Sequence, residues 1–327
     1  MKRVLQSGLL LFVALLVAGA IGEGLVRIFA PHARDHVVPA GMFEIDPKLG
    51  WKLHPGSKVR HRTRYYDVAY DINAMGFRDP PRSAVPPEGK RRVLAFGDSH
   101  IFGWGVSPDQ KVTAVVEAHN PSLEVWDMGV PGYGLDQEIL SYEQSGRLEA
   151  TDVVLFVTRH TISRTLVSRL FRKPKPRFTV NSSGGLVHVP VPRQSGALTD
   201  LFYRVFSPLY LPYFLDRKIT RLVRRGGKRR ADAGESVPPE WMPLQMGLLL
   251  KAKAIADERR QRLTVLVVLE KKSSEEVKDF CGRNGIGFVE APWPNTPLAL
   301  TFGEYDRHWT AKAHEIIADR LSAQLSQ

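Results

Sequence analysis

The sequence predicts an α/β fold: a parallel sheet with helices on both faces, carried behind one apolar N-terminal helix. Three observations predict it. Short apolar runs at 93–96, 123–126, 153–157, 263–269 and 286–289 alternate with longer stretches of helical character, the pattern of a parallel sheet joined by crossover helices. The first two of these runs lead straight into glycine-containing turns, where an open sheet places its ligand sites. Before all of them, residues 4–22 carry no charge and are mostly Leu, Val, Ala and Phe, just enough for the ~20 residues a helix needs to cross hydrocarbon.

At 327 residues, 43% hydrophobic and 24% charged, the chain is long enough for a substantial core and has the composition of a globular protein. Its single cysteine, Cys281, excludes an intrachain disulfide and a cysteine-based zinc cluster. The formal net charge of +12 suits an anionic membrane surface or polymer. Nucleic acid is not the expected partner, because no recognition motif accompanies the charge.

In chain order, the apolar run is flanked by Lys2 and Arg3 on one side and by Glu23 and Arg27 on the other. It reads as an uncleaved anchor with a cytoplasmic N-terminus. The alternative is a cleaved signal peptide, for which Ala18-Gly19-Ala20 is an acceptable site. Residues 1–30 are therefore the anchor, 31–91 a Pro/Gly/Arg-rich lead-in and linker, and 92–327 the main domain. Trp51 and Phe77 are expected to anchor the lead-in by packing.

Within the main domain, the strand at 93–96 is followed by a helix over 108–119, with Ser107 as cap and Pro108 in the first turn. The strand at 123–126 leads into Asp127-Met128-Gly129-Val130-Pro131-Gly132-Tyr133-Gly134, and 135–148 reads as helix. The third strand, 153–157, ends in Thr158-Arg159-His160-Thr161. The alternation then breaks over an insertion at about 165–240. Residues 178–191 suit a short hairpin, and a basic run opens at Arg217 and closes at Arg230 with eight Lys or Arg residues. That run either contacts anionic lipid or polymer or is a solvated insertion. Beyond it, 244–262 and 273–284 are helices around the fourth strand, with Gly285 as a left-handed cap, and 310–325 is the closing helix.

The chemistry concentrates at two places. Gly97-Asp98-Ser99-His100 follows the first strand, where a sharp turn lifts a serine to the sheet edge. Ser99 is then a candidate nucleophile; alternatively, Asp98 and Ser99 cap the next helix. Before the last helix, Asp306-Arg307-His308 offers a carboxylate and a histidine suited to orienting a base and taking a hydroxyl proton. No histidine spacing collects a metal, and no G-x-G-x-x-G follows the first strand, so no cofactor is expected. Trp104 and Trp309 flank these blocks, either as a sugar-stacking wall or as packing.

These blocks resemble those of the SGNH (GDSL-type) esterases and acyltransferases, in particular membrane-anchored bacterial members. The resemblance rests on the Gly-Trp and Asn-x-x-Gly-Phe-Arg lead-in, Gly97-Asp98-Ser99 followed by Phe102-Gly103-Trp104-Gly105-Val106, the Gly129 to Gly134 block, and Asp306-Arg307-His308-Trp309. It implies a flavodoxin-like three-layer sandwich with strand order 2-1-3-4-5. It also implies Ser99 as nucleophile, His308 as base and acid, and Asp306 as its orienter. The oxyanion hole would come from the N–H groups of Ser99 and Gly132, with His160 standing where the family has an asparagine. Asp127 likewise stands in place of an asparagine. By this resemblance the chain is a single-pass inner-membrane protein whose extracytoplasmic domain removes or transfers small acyl groups. The expected substrate is an acylated carbohydrate of the cell envelope or another small ester. The rival expectation is a catalytically impaired scaffold that binds polysaccharide or membrane.

Overall fold

The computed structural model describes residues 2–35, 37–170, 173–192, 209–215, 218–219, 237–293, 296–304 and 306–326. The basic run from Arg217 to Arg230 lies outside these apart from Lys218 and Ile219. The chain divides into two units: Met1–Val37, Arg62–Arg64 and Gln194–Asp232 form one, and Val38–His61, Tyr65–Arg193 and Ala233–Gln327 the other. In the first unit, α1 (Lys2–Phe29) is long and apolar enough over Gln6–Phe29 to cross a membrane or serve as a signal sequence, with mean hydropathy 2.4. Toward its C-terminal end, Glu23 accepts the N–H groups of Tyr210 (2.9 Å) and Leu211 (2.8 Å) and pairs with Arg27 at 2.7 Å.

The second unit opens with two antiparallel strand pairs, β1 (Phe43–Asp46) with β2 (Gly50–Leu53) and β3 (Lys58–Arg62) with β4 (Asp67–Asp71). Then come β5 (Arg91–Phe96), α2 (Val112–His119), β6 (Leu123–Asp127), α3 (Leu135–Gln144), β7 (Asp152–Thr158) and α4 (Arg159–Thr165). The insertion begins with two small antiparallel ladders, β8 (Arg169–Leu170) with β9 (Lys173–Pro174) and β10 (Arg177–Val180) with β11 (Leu186–Val189). The second of these is the hairpin expected around Gly184 and Gly185. The chain closes with α5 (Met242–Glu258), β12 (Arg262–Val268), α6 (Lys271–Arg283), β13 (Gly287–Glu290), the short pair β14 (Thr301–Gly303) and β15 (Asp306–Trp309), and α7 (Ala311–Leu325).

The five apolar runs form one parallel sheet in the order β13-β12-β7-β5-β6. Numbered along the chain within the sheet, that is 2-1-3-4-5, the flavodoxin-like order. Register pairs such as Val93↔Val125, Leu94↔Val153 and Leu155↔Val265 keep apolar side chains side by side. Because a strand alternates its side chains, one sequence supplies two cores. Leu94, Phe96, Val153 and Leu155 pack with Ile139 of α3 and Leu248 of α5. Val93, Ala95, Val154 and Phe156 face the other way, with Val116 of α2 and Ile317 of α7.

Several boundaries differ from the sequence reading: the helix expected over 244–262 is Met242–Glu258, with Arg262 already in β12, and that over 273–284 is Lys271–Arg283. The expected helix over 108–119 begins as a 3-10 turn at Pro108–Gln110, and α2 proper starts at Val112. The helix expected over 135–148 ends at Gln144, where the N–H of Ser145 bonds back to Ser141 and Tyr142. Gly285 adopts φ +63° after α6, and the N–H of Ile286 returns to the Cys281 carbonyl, as its capping role requires. Met42, Trp51, Leu53, Tyr70 and Ile72 are buried in the core on the α3 side, so the lead-in strands are part of the domain's interior.

Gly97 sits where β5 turns, and a Cβ there would meet Ile101 Cγ1 at 2.2 Å and Phe156 Cβ at 3.0 Å. Gly97→Ala is therefore expected to cost about 1–3 kcal/mol by overpacking, read as a lower urea midpoint at unchanged slope.

Candidate active site

The turn after β5 brings Ser99 to the carboxyl edge of the sheet, where 5% of it remains exposed. β15 supplies its partners. Residues 306 and 308 are two apart on a strand, so both side chains leave the same side. His308 Nε2 lies 2.8 Å from Ser99 Oγ, and His308 Nδ1 lies 2.7 Å from Asp306 Oδ1. The same carboxylate oxygen accepts the His308 backbone N–H at 3.1 Å, and the Tyr66 hydroxyl donates to its other oxygen at 3.0 Å.

Charges follow from these contacts. Burial acts to raise the Asp306 carboxyl, but the donors of His308 and Tyr66 outweigh it and hold it below the usual carboxylate range. Burial lowers His308, and Asp306 offsets only part of that. A neutral imidazole beside a carboxylate must carry its proton on Nδ1. The Nε2 lone pair is then left to accept the Ser99 hydroxyl proton.

The loop after β6 runs beside this chain of hydrogen bonds. The N–H groups of Met128 and Val130 bond to the carbonyls of Ala95 and Gly97 (2.9 Å each), which lays the loop along the serine turn. Gly132 there adopts φ +88°, a conformation open to glycine. The backbone N–H groups of Ser99 and Gly132 have no acceptor among the described residues. Lead-in residues hold the loop from outside. Trp51 Nε1 donates to the Pro131 carbonyl (3.2 Å), the Tyr133 hydroxyl to the Trp51 carbonyl (2.7 Å), and Gln137 Nε2 to the Leu49 carbonyl (2.8 Å).

Of the residues singled out in the sequence, the structure joins Ser99, His308 and Asp306 directly and sets Gly132 in the adjoining loop. His160 stands in the first turn of α4, solvent-exposed, and its ring makes no hydrogen bond to Ser99 or Gly132. Trp104 and Trp309 are 5% and 1% exposed. Trp104 stacks on the His308 ring at 5.3 Å, and Trp309 donates to Thr296 Oγ1 at 2.9 Å, so both pack beneath the site.

Sequence reasoning missed four charged or polar supports. Arg78, 2% exposed, donates to the carbonyls of Phe102 (3.1 Å), Gly103 (2.5 Å) and Val106 (2.7 Å), which fixes the loop after the serine turn. It belongs to the Asn-x-x-Gly-Phe-Arg block, where only Phe77 was read. Arg164 donates to Asp98 Oδ2 at 2.7 Å and to the Tyr133 carbonyl at 2.9 Å. Tyr66, opposite Asp306, carried no local signal. Lys111 meets Asp127 Oδ2 at 2.7 Å while Gly129 N–H bonds Asp127 Oδ1, so the buried aspartate is matched by a buried cation.

Removing that cation strands a buried carboxylate. Lys111→Met is expected to cost about 3–5 kcal/mol, and adding Asp127→Asn should restore most of it. Urea unfolding of the single and double variants measures both.

No family profile and no curated protein matches this sequence. Among solved structures, the chain is similar to a G-D-S-L family protein from Desulfitobacterium hafniense (9% identity, 72% of this chain and 99% of that chain, TM-score 0.42). It is similar also to a member of the lipolytic protein G-D-S-L family from Veillonella parvula (10% identity, 72% and 99%, TM-score 0.41). A third is a GDSL-like lipase from Bacteroides thetaiotaomicron (12% identity, 74% and 90%, TM-score 0.37).

Proposed function

We propose that the chain is an SGNH-type serine esterase or O-acyltransferase that works through an acyl-serine intermediate. One observation carries this reading: the continuous hydrogen-bonded chain Ser99 Oγ, His308 Nε2, His308 Nδ1, Asp306, at 2.8 and 2.7 Å, beside two backbone N–H groups with no acceptor among the described residues. In it, His308 takes the Ser99 proton as Oγ adds to the ester carbonyl, and Asp306 stabilises the resulting imidazolium. The N–H groups of Ser99 and Gly132 receive the developing oxyanion; one such donor is worth roughly 100- to 1,000-fold in rate.

The finer reading is an enzyme tethered by α1 to the bacterial inner membrane, its domain outside the cytoplasm, acting on small acyl esters such as acetyl groups of an envelope carbohydrate. The apolar N-terminal helix and the net charge of +12 support that setting. The resemblance of the motifs supports the substrate class. The basic run from Arg217 to Arg230 is proposed to contact anionic lipid or polymer. The rival reading, an impaired scaffold, is favoured by one observation, that the His160 ring makes no hydrogen bond to Ser99 or Gly132 although Asp98, His100 and Arg164 are near enough to act on its charge.

Turnover of p-nitrophenyl acetate, lost by at least about 1,000-fold in Ser99→Ala, separates the two. Folded protein that neither turns over the ester nor labels at Ser99 with a fluorophosphonate sinks the enzyme reading. A pH profile adds a signed test. His308 acts as base when neutral, and burial lowers its pKa. Activity is therefore present above that pKa and lost as pH falls through it, so the ascending limb of kcat/KM should lie below the value of a free imidazole.

A further inference from the structure

A carboxylate near the end of an apolar helix needs a reason to be there. In α1, Glu23 follows the uncharged run 4–22, and its side chain is 14% exposed. It accepts the N–H groups of Tyr210 (2.9 Å) and Leu211 (2.8 Å), where the helical turn 211–215 begins in the same unit. The Phe214 N–H returns to the Tyr210 carbonyl at 3.0 Å, so that turn is closed. The first N–H groups of a helix have no partner within it. Away from water they need an acceptor from elsewhere in the chain. Arg27 completes the set. It pairs with Glu23 at 2.7 Å, and its guanidinium lies 5.2 Å over the Tyr210 ring. A Cβ on Gly22 would meet Leu211 Cδ2 at 3.2 Å, so a glycine there lets that side chain lie against α1.

The surroundings of this lock fix its setting. On α1, Ile21 is exposed before Glu23, and Ile28 and Phe29 are exposed after it. The last two lie roughly 8 Å further along the axis. Bare apolar surface on both sides of Glu23 belongs in hydrocarbon or at its edge. The segment that Glu23 holds is therefore at that depth too. Its outer face matches: Leu215 and Ile219, 46% and 58% exposed and four residues apart, share one side of a helix. Tyr210 and Tyr213 carry the ring type that settles where hydrocarbon meets headgroups. Two cations stand at the same level. Arg27 keeps 54% of its side chain exposed, and Lys218, with Nζ 5.4 Å over the Phe214 ring, is exposed beside Ile219.

We propose that residues 209–215, with Lys218 and Ile219, form a membrane-interface element at the end of α1 whose partner is an anionic phospholipid surface. The proposal rests on the reading of α1 as an anchor, and between lipid and polymer it selects lipid. A soluble polymer gives no reason for a segment far along the chain to be bonded to the anchor; a bilayer does. Leu215 and Ile219 enter the acyl boundary while Arg27 and Lys218 stay with the phosphates, the way a basic interfacial helix binds. Attraction to such a surface fades within about 8 Å at physiological salt. The bonds to Glu23 keep Lys218 inside that range.

Depth measurements on the full chain test this. A nitrobenzoxadiazole label is attached at Ile219→Cys in a Cys281→Ala background, in nanodiscs of phosphatidylcholine alone or with phosphatidylglycerol. The label should emit blue-shifted and be quenched by doxyl groups placed near the lipid headgroups. Quenching should rise with phosphatidylglycerol, and that rise should be lost in high salt and in Lys218→Gln. Glu23→Ala should release the label to water while a label at Leu11→Cys stays quenched. A water-exposed label at 219 in both lipids, with the Leu11 position quenched, overturns the proposal. So does quenching at 219 that ignores phosphatidylglycerol, or a label that responds only to an added soluble polyanion. If Ile219→Cys does not fold, Leu215→Cys is read in the same way. A label at position 11 that no lipid quenches instead overturns the anchor reading, and the proposal falls with it.

Discussion

The site depends on a charge buried under its nucleophile. Asp98 is wholly enclosed where β5 ends, and its two oxygens reach two parts of the chain: the serine turn, through the N–H and the ring of His100, and α4 through Arg164. Arg164 passes the constraint on to the Tyr133 carbonyl and so to the loop that carries Gly132. An unpaired carboxylate at that depth would be prohibitively costly. The turn, the loop and α4 must therefore keep their relation for the carboxylate to stay charged.

Around that charge, the lead-in acts as a frame. Trp51 and Leu49 bond to the loop of Gly132 and the helix after it, Arg78 to the carbonyls after the serine turn, and Tyr66 to the carboxylate behind His308. Different lead-in residues thus fix different parts of the site. A segment with few helical or strand signals of its own governs how closely Ser99, His308 and the open N–H groups are held.

Much of this was legible in the residues. The five apolar runs are long enough and β-branched enough to announce buried strands, and the glycines after two of them announce close backbone approach. The Asp-x-His spacing places both side chains on one side of a strand, so the pair was readable even though 306–309 was not recognised as β15. The supports were not readable. Lys111 and Asp127 are 16 positions apart, Arg164 and Asp98 are 66 apart, and Tyr66 and Asp306 are 240 apart. Polar residues paired across such distances leave no local periodicity, and each resembles an ordinary surface charge until the sheet brings it inside.

Local pattern alone therefore determined the alternation of strand and helix, the apolar N-terminal helix, and the chemical types at the sheet edge, because those follow from spacing along the chain. The order of the strands rested on the resemblance of the motifs until the sheet was built. Only the tertiary structure decided that Ser99, His308 and Asp306 meet at hydrogen-bonding distance, that the His160 ring bonds to neither Ser99 nor Gly132, and that His100 has a carboxylate of its own. The reason is physical. Whether a side chain is a cap, a packing residue or a proton carrier depends on burial and on which charges face it, and folding sets both.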